Sequence, residues 1–146
     1  MRSKFQQRRL FEQTLNKIIG CNLKALPTTC LIAADDFNDE ASFKRLVADL
    51  LAYDCRYFMT YGLVAEVLHD KIDEVISDLE LGSKGILTAA HSDEPIDEIA
   101  WFFVNATAPE EDCVQYFFGF DDKAAFNELS RAVKKEVQKL NAKFND

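Results

Sequence analysis

The sequence predicts an α/β fold: a three-layer sandwich in which a four-stranded, mainly parallel sheet carries helices on both faces. Two observations carry the prediction. Short apolar runs alternate with segments whose apolar residues recur at helical spacing, in the order α-β-α-β-α-β-α-β-α. The segments between successive runs span 20 to 24 residues, too long for hairpins and suited to helical crossovers between parallel strands. No internal repeat or linker composition interrupts the chain, so residues 1–146 read as one domain.

The first element reads as a helix, with Phe5, Phe11, Leu15, Ile18 and Ile19 on one face and Gly20 closing it. A buried strand follows from Cys30 to Ala34 and ends at Asp35 and Asp36. Phe43, Leu46, Val47, Leu50 and Leu51 keep the period of a second helix, capped by Asn38 or Asp39. The aromatic-rich stretch from Cys55 to Tyr61 is the second strand, and Gly62 turns it into a helix marked by Val64, Leu68, Ile72, Val75 and Leu79.

Gly82 and Gly85 break that helix, and Ile86 to Ala90 form the third strand. The next helix begins near Asp93-Glu94-Pro95, with a capping acid and a Pro placed in its first turn. Its residues Ile96 to Val104 have little polar face, which predicts the most buried helix of the fold. A turn at Pro109 to Asp112 leads to a strand from Cys113 to Phe120. Asp121 and Asp122 then cap a last helix that carries Phe126, Leu129, Val133, Val137 and Leu140 at spacings of three and four.

Composition bounds the class. A hydrophobic content of 48% with 12 Phe supplies a full core. No apolar run reaches the roughly 18 residues of a membrane span, and the basic start lacks the apolar stretch of a secretory signal. Cys21, Cys30, Cys55 and Cys113 are widely spaced, which suits reduced thiols and a cytoplasmic location better than a disulfide frame or a zinc site. There is no G-x-S-x-G elbow, glycine-rich phosphate loop or H-E-x-x-H helix, so neither a catalytic residue nor a cofactor is expected.

Charge is sorted by position. Residues 25–122 carry a net charge of -16, against +5 for residues 1–24 and +3 for residues 123–146. An acidic body favours a cationic partner over nucleic acid, because phosphates would be repelled. Lys134, Lys135, Lys139 and Lys143 fall mostly on the polar face of the last helix, where they complement its dipole and the acidic body.

In an open parallel sheet, ligands bind outside the carboxyl ends of the strands. The residues falling there are Asp35, Asp36, Tyr61, His91, Asp93, Glu94, Asp121 and Asp122. Capping alone explains at least one acid at each strand-to-helix junction, since a carboxylate there accepts free backbone N–H groups. Paired carboxylates at strand ends are also the donor set of a Mg²⁺ or phosphate site, the basis of an enzyme or sensor reading. As a protein-binding edge, the same ring of charge raises the on-rate for a basic partner, with Tyr61 and His91 as contacts.

Three resemblances bear on these readings. Leu31-Ile32-Ala33-Ala34-Asp35-Asp36 resembles the acidic-pair strand of a response-regulator receiver domain, although His91 stands where that family has a phosphorylatable Asp and no fifth strand with a Lys follows. Residues 86–98, with His91, Asp93-Glu94-Pro95 and Glu98, are similar to the strand–His–acidic–Pro–helix signature of an uncharacterised bacterial domain family, with Ala90 in place of an aromatic residue. In size, acidity and α/β character the chain also resembles the immunity proteins of contact-dependent inhibition and related polymorphic toxin systems. That resemblance implies a cytoplasmic, non-enzymatic protein that neutralises one cognate toxin domain, often a nuclease. The expectation is therefore a basic protein partner, without metal, cofactor, nucleic acid or membrane.

Overall fold

A computed structural model of the chain describes residues 8–15, 26–36, 39–107, 115–121 and 124–142. Within these residues five strands form one parallel sheet: β1 (Arg9–Thr14), β2 (Thr28–Ala33), β3 (Cys55–Tyr61), β4 (Leu87–His91) and β5 (Gln115–Phe120). Among the described residues four α-helices accompany them: α1 (Glu40–Ala52), α2 (Ala65–Asp78), α3 (Ile96–Asn105) and α4 (Ala124–Ala142). The spatial order is β1-β5-β2-β3-β4.

The order explains the layering. From β2 the chain steps outward to β3 and β4, with α1 and α2 as crossovers, and then returns to β5 on the other side of β2. Crossovers between parallel strands keep one hand, so reversing the direction of travel moves the connecting helix to the opposite face. The core divides accordingly. Cys30, Ile32, Ala34, Phe58 and Phe117 pack with Phe43, Leu46, Leu50, Leu68 and Ile72 of α1 and α2. Their alternating neighbours Leu31, Ala33, Met59, Tyr116 and Phe118 pack with Ile99, Phe103, Phe126 and Val133 of α3 and α4. Every residue of β2 is buried, as a strand covered on both faces must be.

The predicted first helix is corrected. Residues 9–14 are a strand that pairs in parallel with β5 from Arg9 opposite Gln115 to Thr14 opposite Phe120, so the sheet has five strands rather than four. Phe11 and Leu15 fit a helical period, but six residues also fit the period of two, and a strand partner far along the chain decided between them. α4 secures this edge strand. The Asn141 amide accepts the Arg8 N–H and donates to the Arg8 carbonyl, and the Ser130 hydroxyl donates to Glu12, which Lys134 approaches at 3.5 Å.

α3 departs from its predicted burial. Ile99, Ala100, Phe103 and Val104 face the core, but Trp101 is 54% exposed, so the helix keeps a solvent face. Its cap also differs: Pro95 occupies the N-cap position and no side chain bonds the first turn. Asp39 caps α1 as expected, accepting the Ser42 N–H at 3.1 Å. Cys30 and Cys55 are buried free thiols; Cys21 and Cys113 lie outside the described residues.

Candidate functional site at the carboxyl edge of the sheet

The carboxyl ends of β2 and β5 lie side by side where the strand order reverses, the place at which open α/β sheets form a crevice. Asp121 follows β5 directly and is only 7% exposed. Its N–H donates to the Ala33 carbonyl at 3.0 Å, extending the β5–β2 ladder by one rung. Its carboxylate then crosses to the β2–α1 loop, where Oδ2 accepts the N–H of Asp35 at 2.7 Å and of Asp36 at 3.3 Å. Asp121 was expected to cap α4; it holds the neighbouring loop instead. Burial pushes its carboxyl above the ordinary value, the two N–H donors oppose that, and the charges of Asp35 and Asp36 add to it. Its Oδ1 is buried without a hydrogen-bond partner among the described residues.

Asp35 passes the connection on to the β3–α2 turn. Its Oδ1 accepts the Leu63 N–H at 3.0 Å, while the Ala34 carbonyl takes the Val64 N–H at 3.3 Å. The turn fits because Gly62 has φ +112° and no side chain; a Cβ there would sit 2.2 Å from the Ala34 oxygen. The consequence is an unusual placement. Leu63, pinned by its backbone beside Asp35, is 84% exposed.

At the end of β4 a second group forms. His91 Nδ1 lies 2.6 Å from Glu94 Oε2, and the His91 ring packs beside Phe102 with centroids 5.5 Å apart. The His91 bond is the main reason that the Glu94 carboxyl sits below its ordinary value. Glu94 Oε1 also accepts the Asp93 N–H at 3.2 Å, and the Tyr61 hydroxyl donates to the Glu94 carbonyl at 3.0 Å. Burial raises the Tyr61 phenol, and Glu94, Asp35 and Asp93 reinforce the shift. The Tyr61 ring meets Phe126 edge-on at 6.3 Å, so much of this side chain is structural.

The predicted site residues therefore fall into two hydrogen-bonded groups, with Asp35, Asp36 and Asp121 in one and Tyr61, His91, Asp93 and Glu94 in the other. Asp122 lies outside the described residues. Asp36 and Asp93 are exposed, whereas Asp121 is turned inward. Among the described residues no group of three or more His, Cys, Asp or Glu side chains is arranged to hold a metal ion. The carboxylates of Asp35, Asp121 and Glu94 accept backbone N–H groups, as in capping.

One cluster escaped the sequence because Thr88 joins it from another element, 19 residues from His69 in the chain. Thr88 Oγ1 on β4 lies 3.1 Å from His69 Nε2 on α2 and donates to Asp73 Oδ1 at 3.0 Å, with Asp70 3.4 Å from the other imidazole nitrogen. Oxygen, imidazole and carboxylate in line suggest an activated nucleophile. The proton count opposes it: the hydroxyl has one hydrogen, and Asp73 receives it. His69 Nε2 must then donate to the Thr88 oxygen, so it cannot act as the base for that hydroxyl.

Residues 12–136 match the model of a domain of unknown function, DUF7684. The chain belongs to the DUF7684 family. The matched residues run from β1 to α4, so both edge groups lie within the DUF7684 domain. No curated protein and no solved structure matches the chain. Among the described residues, no helix of this DUF7684 domain is long and apolar enough to cross a membrane.

Proposed function

We propose that this protein is a non-enzymatic binding protein whose carboxyl edge engages a basic protein partner. A toxin domain of the kind that immunity proteins neutralise is the partner class favoured by the size and acidity of the chain. The observation that carries the reading is Leu63, almost fully exposed and held by the Asp35 carboxylate at the acidic edge. A backbone fixed beneath an exposed apolar side chain lowers the ordering cost of an anchor. Surrounding carboxylates steer a cationic surface toward it. The hydrogen bonding of Asp35, Asp121 and Glu94 further supports a fixed recognition surface over reacting groups.

The role of each described residue follows from its exposure and hydrogen bonds. Asp36 and Asp93 present charge to the partner. Asp35 and Asp121 set the loops that carry Leu63, while Tyr61, His91 and Glu94 shape the far side; Asp122, outside the described residues, is proposed as a further acidic contact. The test is to express the chain with the products of adjacent open reading frames and measure association at low and high salt. A salt-sensitive complex with a basic domain, weakened by Asp36→Lys or Asp93→Lys and by Leu63→Ser, is expected. A complex indifferent to all three substitutions and to salt would sink the reading.

A further inference from the structure

We propose that β4 pairs antiparallel with β4 of a second copy of this chain, about a twofold axis at Ala89, so that two sheets become one. β4 ends the strand order and has β3 on one side only. Among the described residues, no backbone hydrogen bond outside that ladder reaches Ile86 to Ser92. Proteins ordinarily guard such an edge with charge, proline or a covering segment. The opposite edge is guarded in this way. Arg9 is exposed on β1, Glu12 is held by Ser130, and the Arg8 backbone is engaged by Asn141 of α4. Residues 86–92 contain no Asp, Glu, Lys, Arg or Pro, in a chain of which 29% is charged. With Ala89 and Ala90 at its centre, β4 lets a second backbone come close.

The residues along this edge select a second copy and fix its direction. Lys84 stands before the strand and Asp93 after it, both exposed. Antiparallel pairing centred on Ala89 sets each Lys84 beside Asp93 of the other copy, whereas parallel pairing would set like charge against like. Glu94 is already tied to His91, which leaves Asp93 as the acid on offer. The same register covers apolar surface. Leu87, Ala89 and His91 lie opposite Tyr57, Met59 and Tyr61, and so share the face of the sheet that carries α3. Leu87 is 54% exposed there, and the twofold places it against His91 of the other copy, whose ring lies beside Phe102. On the other face Thr88 meets Ala90, a small partner. The edge is therefore self-complementary, as a closed twofold contact requires. The charges that oppose it are the chain's net -8 and, on α2, Asp70 and Asp73, grouped with His69 beside Thr88. A narrow contact set against that repulsion makes a weak dimer rather than an obligate one.

Sedimentation equilibrium of the full chain, over about a hundredfold range of concentration at physiological ionic strength, is the test. A monomer–dimer equilibrium is expected, with hydrogen exchange at the β4 amides slowing as concentration rises and exchange at β1 unchanged. Leu87→Glu, at an exposed position, should weaken the dimer about tenfold or more. Lys84→Glu and Asp93→Lys should each weaken it, and the two together should restore it. A chain that stays monomeric throughout, or one that builds species larger than a dimer, would overturn the proposal. So would a dimer that Leu87→Glu leaves intact, or a double exchange that fails to restore association. Protection of β4 seen only with the product of an adjacent reading frame would give the edge to that partner and overturn the second copy as its occupant.

Discussion

Asp121 and Asp35 are joined side chain to backbone across the reversal of the sheet, with Asp121 Oδ2 accepting the Asp35 N–H at 2.7 Å. One buried carboxylate thereby fixes the loop after β2 from the end of β5, and Asp35 in turn fixes the turn after β3. The edge is a relay of acceptors, and a break at its first member should be felt at its last.

Removing that acceptor tests the relay. Asp121→Ala leaves the Asp35 and Asp36 N–H groups without their shared partner, at a cost of about 1–3 kcal/mol. Asp121→Asn keeps an acceptor oxygen and should cost less. Urea unfolding of both variants checks the order, and the Leu63 amide resonance should move more in the alanine variant than in the asparagine variant.

The same residue sets a pH dependence. The Asp121 carboxyl is raised in the folded protein, so its contribution to stability is fully present below the unfolded value and is lost as pH rises through the folded one. Glu94 is shifted the other way: its contribution is present above the unfolded value and is lost as pH falls through the depressed folded one. Stability measured from neutral pH downward should thus gain from Asp121 and lose from Glu94. Asp121→Asn should remove the gain and Glu94→Gln the loss; the reverse assignment would contradict the burial of Asp121 and the bond from His91 to Glu94.

Gly62→Ala should be among the most disruptive small substitutions. The added methyl would meet the Ala34 carbonyl, which is backbone and already accepts the Val64 N–H. The φ of +112° adds strain for any residue with a Cβ. A loss above about 1 kcal/mol in chemical denaturation is expected. Gly85→Ala, with nothing near its Cβ, faces only the conformational part of that penalty and should cost less.

Asn141→Ala should loosen β1 alone. The Asn141 amide makes a reciprocal pair with the Arg8 backbone, a substitute for a neighbouring strand. Its loss should cost about 1 kcal/mol and speed hydrogen exchange at Arg8 more than at β3 amides.

The legible parts of the sequence were those governed by local pattern. β2 reads as an apolar run because both its faces are covered, and α1 shows its period and its Asp39 cap within a single turn. Strand ends could also be placed, which put the acids on the right edge. What those acids touch was hidden, because Asp121 reaches Asp35 only when β5 lies beside β2, and no residue in either strand specifies that neighbour. β1 was misread for the same reason: its strand character comes from β5.

The pairing of β1 with β5 has a consequence for how the chain is made. Arg9 waits for Gln115, so among the described strands the earliest made is completed by the latest. At about 5–20 residues per second, this segment spends several seconds beside the ribosome without its partner. Its Arg8, Arg9, Glu12 and Gln13 would then serve a second purpose, keeping a waiting strand soluble until β5 has been made.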